Sequence, residues 1–310
     1  MVARMATNLN VPSKESSCSS APSLETVTGV PAHHESMTTS VLLIGAFGRV
    51  GTAIIDHLAD DDRYEFTYLD RESHPEYDAH VADIADYEAI RPAFEGQNAV
   101  VHLAGNPSPG APWGDILPSN IVGTYNVLEA ACDAGVERVV FASTNHVMGE
   151  YRIDREPELY DDEPEFEVDH TDSPRPDSYY AVSKLFGEHL GRYYVEHEGM
   201  PSRFYALRIG WVLDAEEDGP FGPPERRVAA GELERGTAEY RRAVNHWKAH
   251  WCSRRDVARL VDHTLRDESV AFDVFYARSA SDHSWFDMDH ARDVLGFEPV
   301  DDAEAHEPPA

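Results

Sequence analysis

Lysine is almost missing from this chain. Its 310 residues hold only Lys14, Lys184 and Lys248. Lysine and arginine together number 26 against 57 aspartates and glutamates, a formal charge of −31. So few cations argue against nonspecific attachment to nucleic acid or to an anionic membrane, since both are held by lysine and arginine. The acids are spread along the whole sequence rather than gathered in a tail. Dense surface carboxylates of this kind keep a protein hydrated where salt screens their repulsion, so a halophilic setting is expected. Cysteine is also scarce. Cys18, Cys132 and Cys252 are far apart and form no CxxC pair, which indicates neither a disulfide framework nor a zinc site and makes a reducing cytoplasm the default compartment. No run of 18 apolar residues exists, so no membrane span is expected. Residues 1–36 are rich in Ser, Thr and Pro and lack the apolar stretch of a secretory signal. They read as a disordered extension, or as a misassigned start with Met37 the true first residue.

What remains alternates between short apolar strands and amphipathic helices. Strands are expected at Val41–Ile44, Glu65–Leu69, Ala99–Leu103, Arg138–Ser143, Phe204–Arg208 and Phe272–Tyr276. Helices are expected at Val50–Ala59, Ile121–Ala134 and Ser178–Glu196. Strands separated by helices imply βαβ units, a parallel sheet and a ligand crevice at the strand C-terminal ends. The fold class is therefore α/β: a Rossmann-type doubly wound parallel sheet over 37–210, with a small substrate-covering part over 211–310 that returns one strand to the sheet. The acidic segments Arg152–Pro176 and Ala215–Glu239 carry scattered Pro and Gly and read as loops or lids beside the crevice.

The first strand runs into Gly45-Ala46-Phe47-Gly48-Arg49-Val50-Gly51 and then a helix. Glycines there let the backbone turn and approach a pyrophosphate, and the helix N-terminus supplies unpaired N–H groups. The next strand ends in Asp70, 19 residues past Gly51, near the ~20-residue offset of an acid that binds ribose hydroxyls. A carboxylate there repels a 2′-phosphate and favours NAD over NADP, although Arg71 beside it works the other way.

Ser178-Tyr179-Tyr180-Ala181-Val182-Ser183-Lys184 places Tyr180 and Lys184 at i, i+4 on one helix face. A free tyrosine, with a pKa of about 10, is a poor base near neutrality. A neighbouring ammonium stabilises the phenolate, and Tyr180 then takes the proton of a substrate hydroxyl while hydride leaves. In an arbitrary protein such a pair is a surface feature, but here one of three lysines occupies it. At the end of an upstream strand Thr144 can orient the reacting hydroxyl, and Asn145 and His146 can bind others.

Taken in order, Gly45-x-x-Gly48-x-x-Gly51, Val81-Ala82-Asp83-Ile84, His102-Leu103-Ala104-Gly105, Asn120-Ile121-Val122-Gly123-Thr124 and Tyr180-x-x-x-Lys184 resemble the extended short-chain dehydrogenase/reductase family. The likeness covers about residues 40–210 and the tail Asp287–Pro299. It implies NAD as cofactor, held by Gly45, Phe47, Gly48, Arg49, Val50, Gly51, Asp70, Asp83, Ile84, Leu103, Ala104, Gly105, Asn120, Tyr180, Lys184 and Ile209. It also implies that Asp83 lies near the adenine, that Asn120 supports the active site, and that Lys184 holds the nicotinamide ribose. Phe141-Ala142-Ser143-Thr144-Asn145-His146, Arg208-Ile209-Gly210 and the stretch His102–Trp113 are most similar to uronate dehydrogenases and haloarchaeal NAD-dependent glucose-6-phosphate dehydrogenases. Thr144 stands there in place of a catalytic Ser, and His246 where an Arg would bind the acid group. The implied reaction is oxidation of a sugar at C1 to the lactone by a cytoplasmic, homo-oligomeric enzyme of carbohydrate metabolism. The alternative is a sugar-nucleotide 4-epimerase or dehydratase with tightly bound NAD. A non-catalytic cofactor-binding regulator is a third reading.

No Asp or Glu occurs between Tyr240 and Arg255, a stretch holding Arg241, Arg242, His246, Lys248, His250, Arg254 and Arg255. Such an island can hold the phosphate or carboxylate of a sugar, with Arg241, His246 and Lys248 as candidates beside Asn106, Thr144, Asn145 and His146. The plainer alternative is a basic helix face that pairs with neighbouring acids. His246 and His250 have metal-ligand spacing, but no third ligand is evident and no metal is expected.

Overall fold

A computed structural model describes residues 38–307; the segment 1–36 and Cys18 lie outside them. The strands are β1 (Thr39–Ile44), β2 (Tyr64–Asp70), β3 (Ala79–Val81), β4 (Ala99–His102), β5 (Arg138–Thr144), β6 (Arg203–Ile209) and β7 (Phe272–Ala277). The α-helices are α1 (Arg49–Leu58), α2 (Tyr87–Ile90), α3 (Trp113–Ile116), α4 (Gly123–Ala134), α5 (Gly149–Ile153), α6 (Tyr179–Tyr193), α7 (Gly222–Ala229), α8 (Ala238–His250), α9 (Arg254–Arg266) and α10 (Asp289–Leu295). The strands form one sheet in the order β3-β2-β1-β4-β5-β6-β7, and every adjacent pair is parallel. This is the doubly wound architecture expected, with the order reversing between β1 and β4.

Both faces of the sheet are covered, so β1 reads as an unbroken apolar run. Its alternate residues serve opposite layers. Val41 and Leu43 pack with Ile54, Leu58, Leu260 and Val261 from α1 and α9. Leu42 and Ile44 pack with Val127, Leu128 and Ala131 from α4. The returning strand β7 lies at the edge beside β6. Strand β3 escapes a sequence reading because its three residues, Ala-His-Val, sit on the other edge with Val81 exposed and carry no apolar pattern.

The segment Ala215–Glu239 departs from its expected loop character. It contains helix α7, with Pro223 and Pro224 in its first turn, where a missing N–H costs nothing. Arg152–Pro176 holds only short turns, among them Glu158–Tyr160, and is bridged at Val168 to Phe286. Cys252 is a buried free thiol.

Candidate active site

The glycine loop closes over the sheet where the strand order reverses. Gly45 has φ +80°, and a Cβ there would meet Ala104 N at 2.7 Å. Gly51 lets α1 approach the loop, since a Cβ would lie 2.3 Å from Ala46 O. These two glycines are explained by the protein's own packing. Gly48 is not: the nearest heavy atom to its would-be Cβ is Gly45 O at 3.6 Å. The space it leaves fits a ligand. No side chain caps α1, so its first N–H groups remain available for an anion. The residues present therefore fit a dinucleotide.

Asp70 stands at the end of β2. Its carboxylate accepts from Phe47 N (3.0 Å) and Arg71 N (2.7 Å). The expected ribose acid thus also ties the glycine loop to the second strand. Phe47 lies among the rings of Tyr68, His74 and Tyr77. Arg49 is exposed and pairs with Asp214 at 3.2 Å, and Val50 packs against the core beneath it. Asp83 is exposed and accepts from Ala85 N at 2.9 Å. Ile84 is buried against Gly123. Leu103 and Ala104 both donate backbone N–H to Ile44 O, which closes the turn facing Gly45. Ile209 is buried at the end of β6.

Gly105 and Asn106 follow that turn and meet Asn120, which sits in a π-helical stretch, Leu117–Val122. Such bulges recur at functional sites because they re-aim a side chain. Asn120 Oδ1 accepts from Asn106 N (2.7 Å), and its Nδ2 donates to Asn106 O and to Ser183 Oγ, each at 3.0 Å. Ser183 Oγ in turn donates to Tyr180 O at 2.7 Å. The support expected of Asn120 thus reaches Tyr180 through Ser183, a link not anticipated from the sequence.

Helix α6 carries Tyr180 and Lys184, and Ser178 caps its N-terminus by accepting from Ala181 N at 3.1 Å. It presses hard on the sheet. A Cβ on Gly187 would lie 2.3 Å from the Phe141 ring, and one on Gly191 2.3 Å from the Phe204 ring. Glu188, one turn beyond Lys184, is buried. It accepts from Ser143 Oγ (2.5 Å) and from Arg208 Nε (3.1 Å) and Nη2 (3.0 Å). This pair fixes α6 against the ends of β5 and β6. Glu188 and Arg208 were not assigned this role from sequence, although Glu188 extends the Tyr180, Lys184 series by i+4.

Burial raises the Tyr180 pKa, and Asp177 adds to the rise, while the neighbouring Thr144 hydroxyl opposes it. The ammonium of Lys184 lies 6.0 Å from the Tyr180 ring centroid and 4.9 Å from that of Phe141. Burial lowers Lys184 to about 8. The expected lowering of the Tyr180 pKa by Lys184 is absent from this arrangement: desolvation dominates. Lys184 in turn adds to the burial that lowers His102 to about 3.

Thr144 and Asn145 are buried at the end of β5. His146 lies edge-on to Tyr180, ring centroids 6.0 Å apart, and its Nδ1 meets Asp177 Oδ2 at 2.8 Å. Asp177 is buried, which pushes its carboxyl up, but His146 and Ser178 outweigh this and leave it lowered. On the far side His246 stacks on Tyr160 at 4.5 Å and leans on Trp211 at 4.8 Å. Burial, Arg152 and His146 drive His246 down to about 3, so it is neutral, and its Nε2 has no hydrogen-bond partner among the described residues.

The basic island does not stay together. Arg242 pairs with Asp161, Lys248 with Glu304, Arg254 with Asp56 at 2.6 Å and Arg255 with Asp301. Arg241 is exposed. His250 is buried, with Nδ1 on His246 O at 2.9 Å. Sequence proximity had hidden that Arg242, Lys248, Arg254 and Arg255 each meet an acid from a distant segment. Within the island, His246 feels the charge of both Arg152 and His146 and is bordered by the rings of Tyr160 and Trp211.

The chain is similar to known sugar dehydrogenases. An NAD-dependent glucose-6-phosphate dehydrogenase of Haloferax volcanii is 38% identical, over 86% of this chain and 95% of the relative. An L-arabinose 1-dehydrogenase (NAD(P)(+)) of the same organism is also 38% identical, over 85% and 97%. A uronate dehydrogenase mutant from Agrobacterium tumefaciens, solved in complex with NAD, superposes with a TM-score of 0.66 at 26% identity, over 88% of this chain and 92% of that one. Residues 41–210 match the NAD dependent epimerase/dehydratase family, and the chain belongs to it.

Proposed function

We propose that this protein oxidises a sugar at C1 to the lactone, using NAD, with Tyr180 as general base. The observation that carries the reading is the Thr144 hydroxyl beside half-buried Tyr180, with Lys184 one turn along α6. NAD, when bound, supplies the hydride acceptor. Gly45, Gly48, Gly51 and the N-terminus of α1 would hold its pyrophosphate, and Asp70 the adenine ribose. Thr144 orients the anomeric hydroxyl, and Tyr180 takes its proton at the phenol oxygen. Burial works against the phenolate this transfer needs, and the Lys184 ammonium, charged below about pH 8 and 6.0 Å from the ring, would offset that cost with the cofactor bound. Asn120, through Ser183, fixes the first turn of α6 so that Tyr180 meets Thr144.

The charge of the sugar is where the arrangement departs from an anionic substrate. Lys248, Arg242, Arg254 and Arg255 are already engaged by carboxylates. The wall beyond Tyr180 presents a neutral His246 with one free nitrogen, flanked by Tyr160 and Trp211. Arg152, whose charge bears on His246, sits with Glu156 (2.7 Å) and Asp177 (3.8 Å). Aromatic faces and a neutral hydrogen-bonding imidazole suit an uncharged aldose better than a phosphate or uronate. The test is a panel of neutral aldoses, hexose phosphates and uronates with NAD in molar potassium chloride, following the absorbance of the reduced cofactor. Accumulating reduced cofactor with a neutral aldose supports the reading. A preference for glucose 6-phosphate or a uronate would overturn the charge argument. Turnover without accumulation of reduced cofactor would point instead to an epimerase, which returns the hydride.

A further inference from the structure

Away from the crevice, three residues far apart in sequence converge at the β7 edge of the sheet. They are His170 in the segment after the Val168–Phe286 bridge, Asp273 on β7, and His290 in the first turn of α10. One ligand atom from each lies within 4.8 Å of the others. All three are partly exposed, so an ion can reach them. The two imidazoles lie face to face, centroids 3.5 Å apart and 9° from parallel. His290 Nε2 meets Asp273 Oδ2 at 3.0 Å. The other oxygen, Oδ1, is oriented by Val274 N at 2.8 Å.

We propose that His170, Asp273 and His290 bind one divalent transition-metal ion, zinc being the best match, as a clamp joining the 169–172 loop, β7 and α10. Two features beyond the proximity of the three side chains support it. First, His170 Nδ1 is buried and has no hydrogen-bond partner among the described residues. A buried polar atom left this way is costly, and a ligand relieves it. Second, the surroundings are strongly negative. Glu167 is raised by its burial and by Asp287, Asp289 and Asp169 around it, a field that draws in a cation.

The donor set discriminates among metals. Two imidazoles and one carboxylate suit zinc, copper or nickel, whereas calcium and magnesium take oxygen ligands. Zinc bonds of about 2.0–2.2 Å require the three atoms to draw together by roughly an ångström. Stacked rings point their in-plane lone pairs side by side, so one imidazole must turn about its Cβ–Cγ bond. His170 is the one free to turn, because its Nδ1 surrenders no hydrogen bond. Three protein ligands leave the fourth position to water.

The test uses the full chain, stripped with a chelator and titrated with zinc by calorimetry in molar potassium chloride. Cobalt serves as a second probe through its visible absorption. One equivalent of zinc should bind, with a tetrahedral cobalt spectrum. His290→Ala and His170→Asn should each weaken zinc binding by roughly 100-fold or more while leaving sugar oxidation unchanged. Asp287→Asn with Asp289→Asn should preserve the stoichiometry and lower affinity only modestly. Should His290→Ala fail to fold, the loop variant His170→Asn decides. Absence of a one-to-one site in the wild type, or wild-type zinc affinity in the histidine variants, would overturn the proposal.

Discussion

Glu188→Gln isolates the buried charge pair that sets the active-site helix on the sheet. The side chains of Arg208 and Glu188 are 2% and 5% exposed and meet through two hydrogen bonds of 3.0–3.1 Å. Glutamine keeps the shape and one acceptor but leaves the guanidinium without a counter-charge. Tyr276 OH at 3.1 Å and Met148 Sδ at 3.5 Å remain as neutral neighbours. Breaking a buried pair from one side costs about 3–5 kcal/mol. In a chain of this size that lowers the melting temperature by on the order of 10 °C. Replacing both partners with apolar side chains, Glu188→Leu with Arg208→Met, should recover most of the loss, because no uncompensated charge is left. Because the pair is shielded from solvent, the loss should be the same in one molar and four molar potassium chloride. The exposed pair Arg49–Asp214, 60% and 56% exposed, gives the control: Asp214→Asn should be nearly neutral at either salt. The assay is equilibrium urea unfolding followed by circular dichroism. A Glu188→Gln loss below about 1 kcal/mol, or a double variant as unstable as the sum of its parts, would refute the reasoning.

Tyr180→Phe should lower kcat by roughly 10²–10⁴-fold with little change in NAD affinity measured by fluorescence titration; retention of a tenth of the rate would remove the general-base role. Gly48→Ala should fold normally yet raise KM for NAD, since its Cβ would meet only Gly45 O at an ordinary 3.6 Å, whereas Gly51→Ala should lower the melting temperature because its Cβ meets Ala46 O at 2.3 Å. Asp70→Ala should narrow the preference for NAD over NADP in competing titrations, and, because the carboxylate also holds Phe47 N, it should loosen the glycine loop as well. Lys184 is depressed in the fold to about 8 from its ordinary 10.5. Between those values the unfolded chain holds the extra proton, so stability from this group rises with pH across that window. Lys184→Met should abolish that rise in melts taken from pH 7.5 to 10.5.

The sheet and the glycine loop were legible because their signals are local. A four-residue apolar run, glycines at fixed offsets and an acid at the next strand end all follow from backbone geometry within one βαβ unit. The pairing of Tyr180 with Lys184 was legible for the same reason. What the sequence hid was set by tertiary neighbours. The basic run from Arg241 to Arg255 looks unpaired on paper, yet Asp161, Asp56 and the Asp301–Glu304 stretch reach it from three separate segments. The direction of the Tyr180 shift was also invisible. It turns on burial, and the spacing of Lys184 cannot report that.

Helix α6 joins these strands of evidence. Tyr180, Lys184 and Glu188 recur every four residues, so one helical face bears the proposed base, its ammonium and the carboxylate that anchors both. Gly187 and Gly191 bring that face down onto Phe141 and Phe204, closer than any side chain would permit. Phe141 belongs to β5, the strand that ends in Thr144. Ser143, the residue before Thr144, donates to Glu188. The spacing between Thr144 and Tyr180 is therefore fixed at two points, by ring-to-backbone packing below and by a buried hydrogen bond beside it. A third comes from Asn120 through Ser183 to the carbonyl of Tyr180. Only one of the three contacts involves a charge pair. Loss of Glu188 should therefore be felt first as stability, whereas loss of Asn120 or Ser183, which hold the first turn of the helix, should be felt first in the alignment of Tyr180 and hence in kcat.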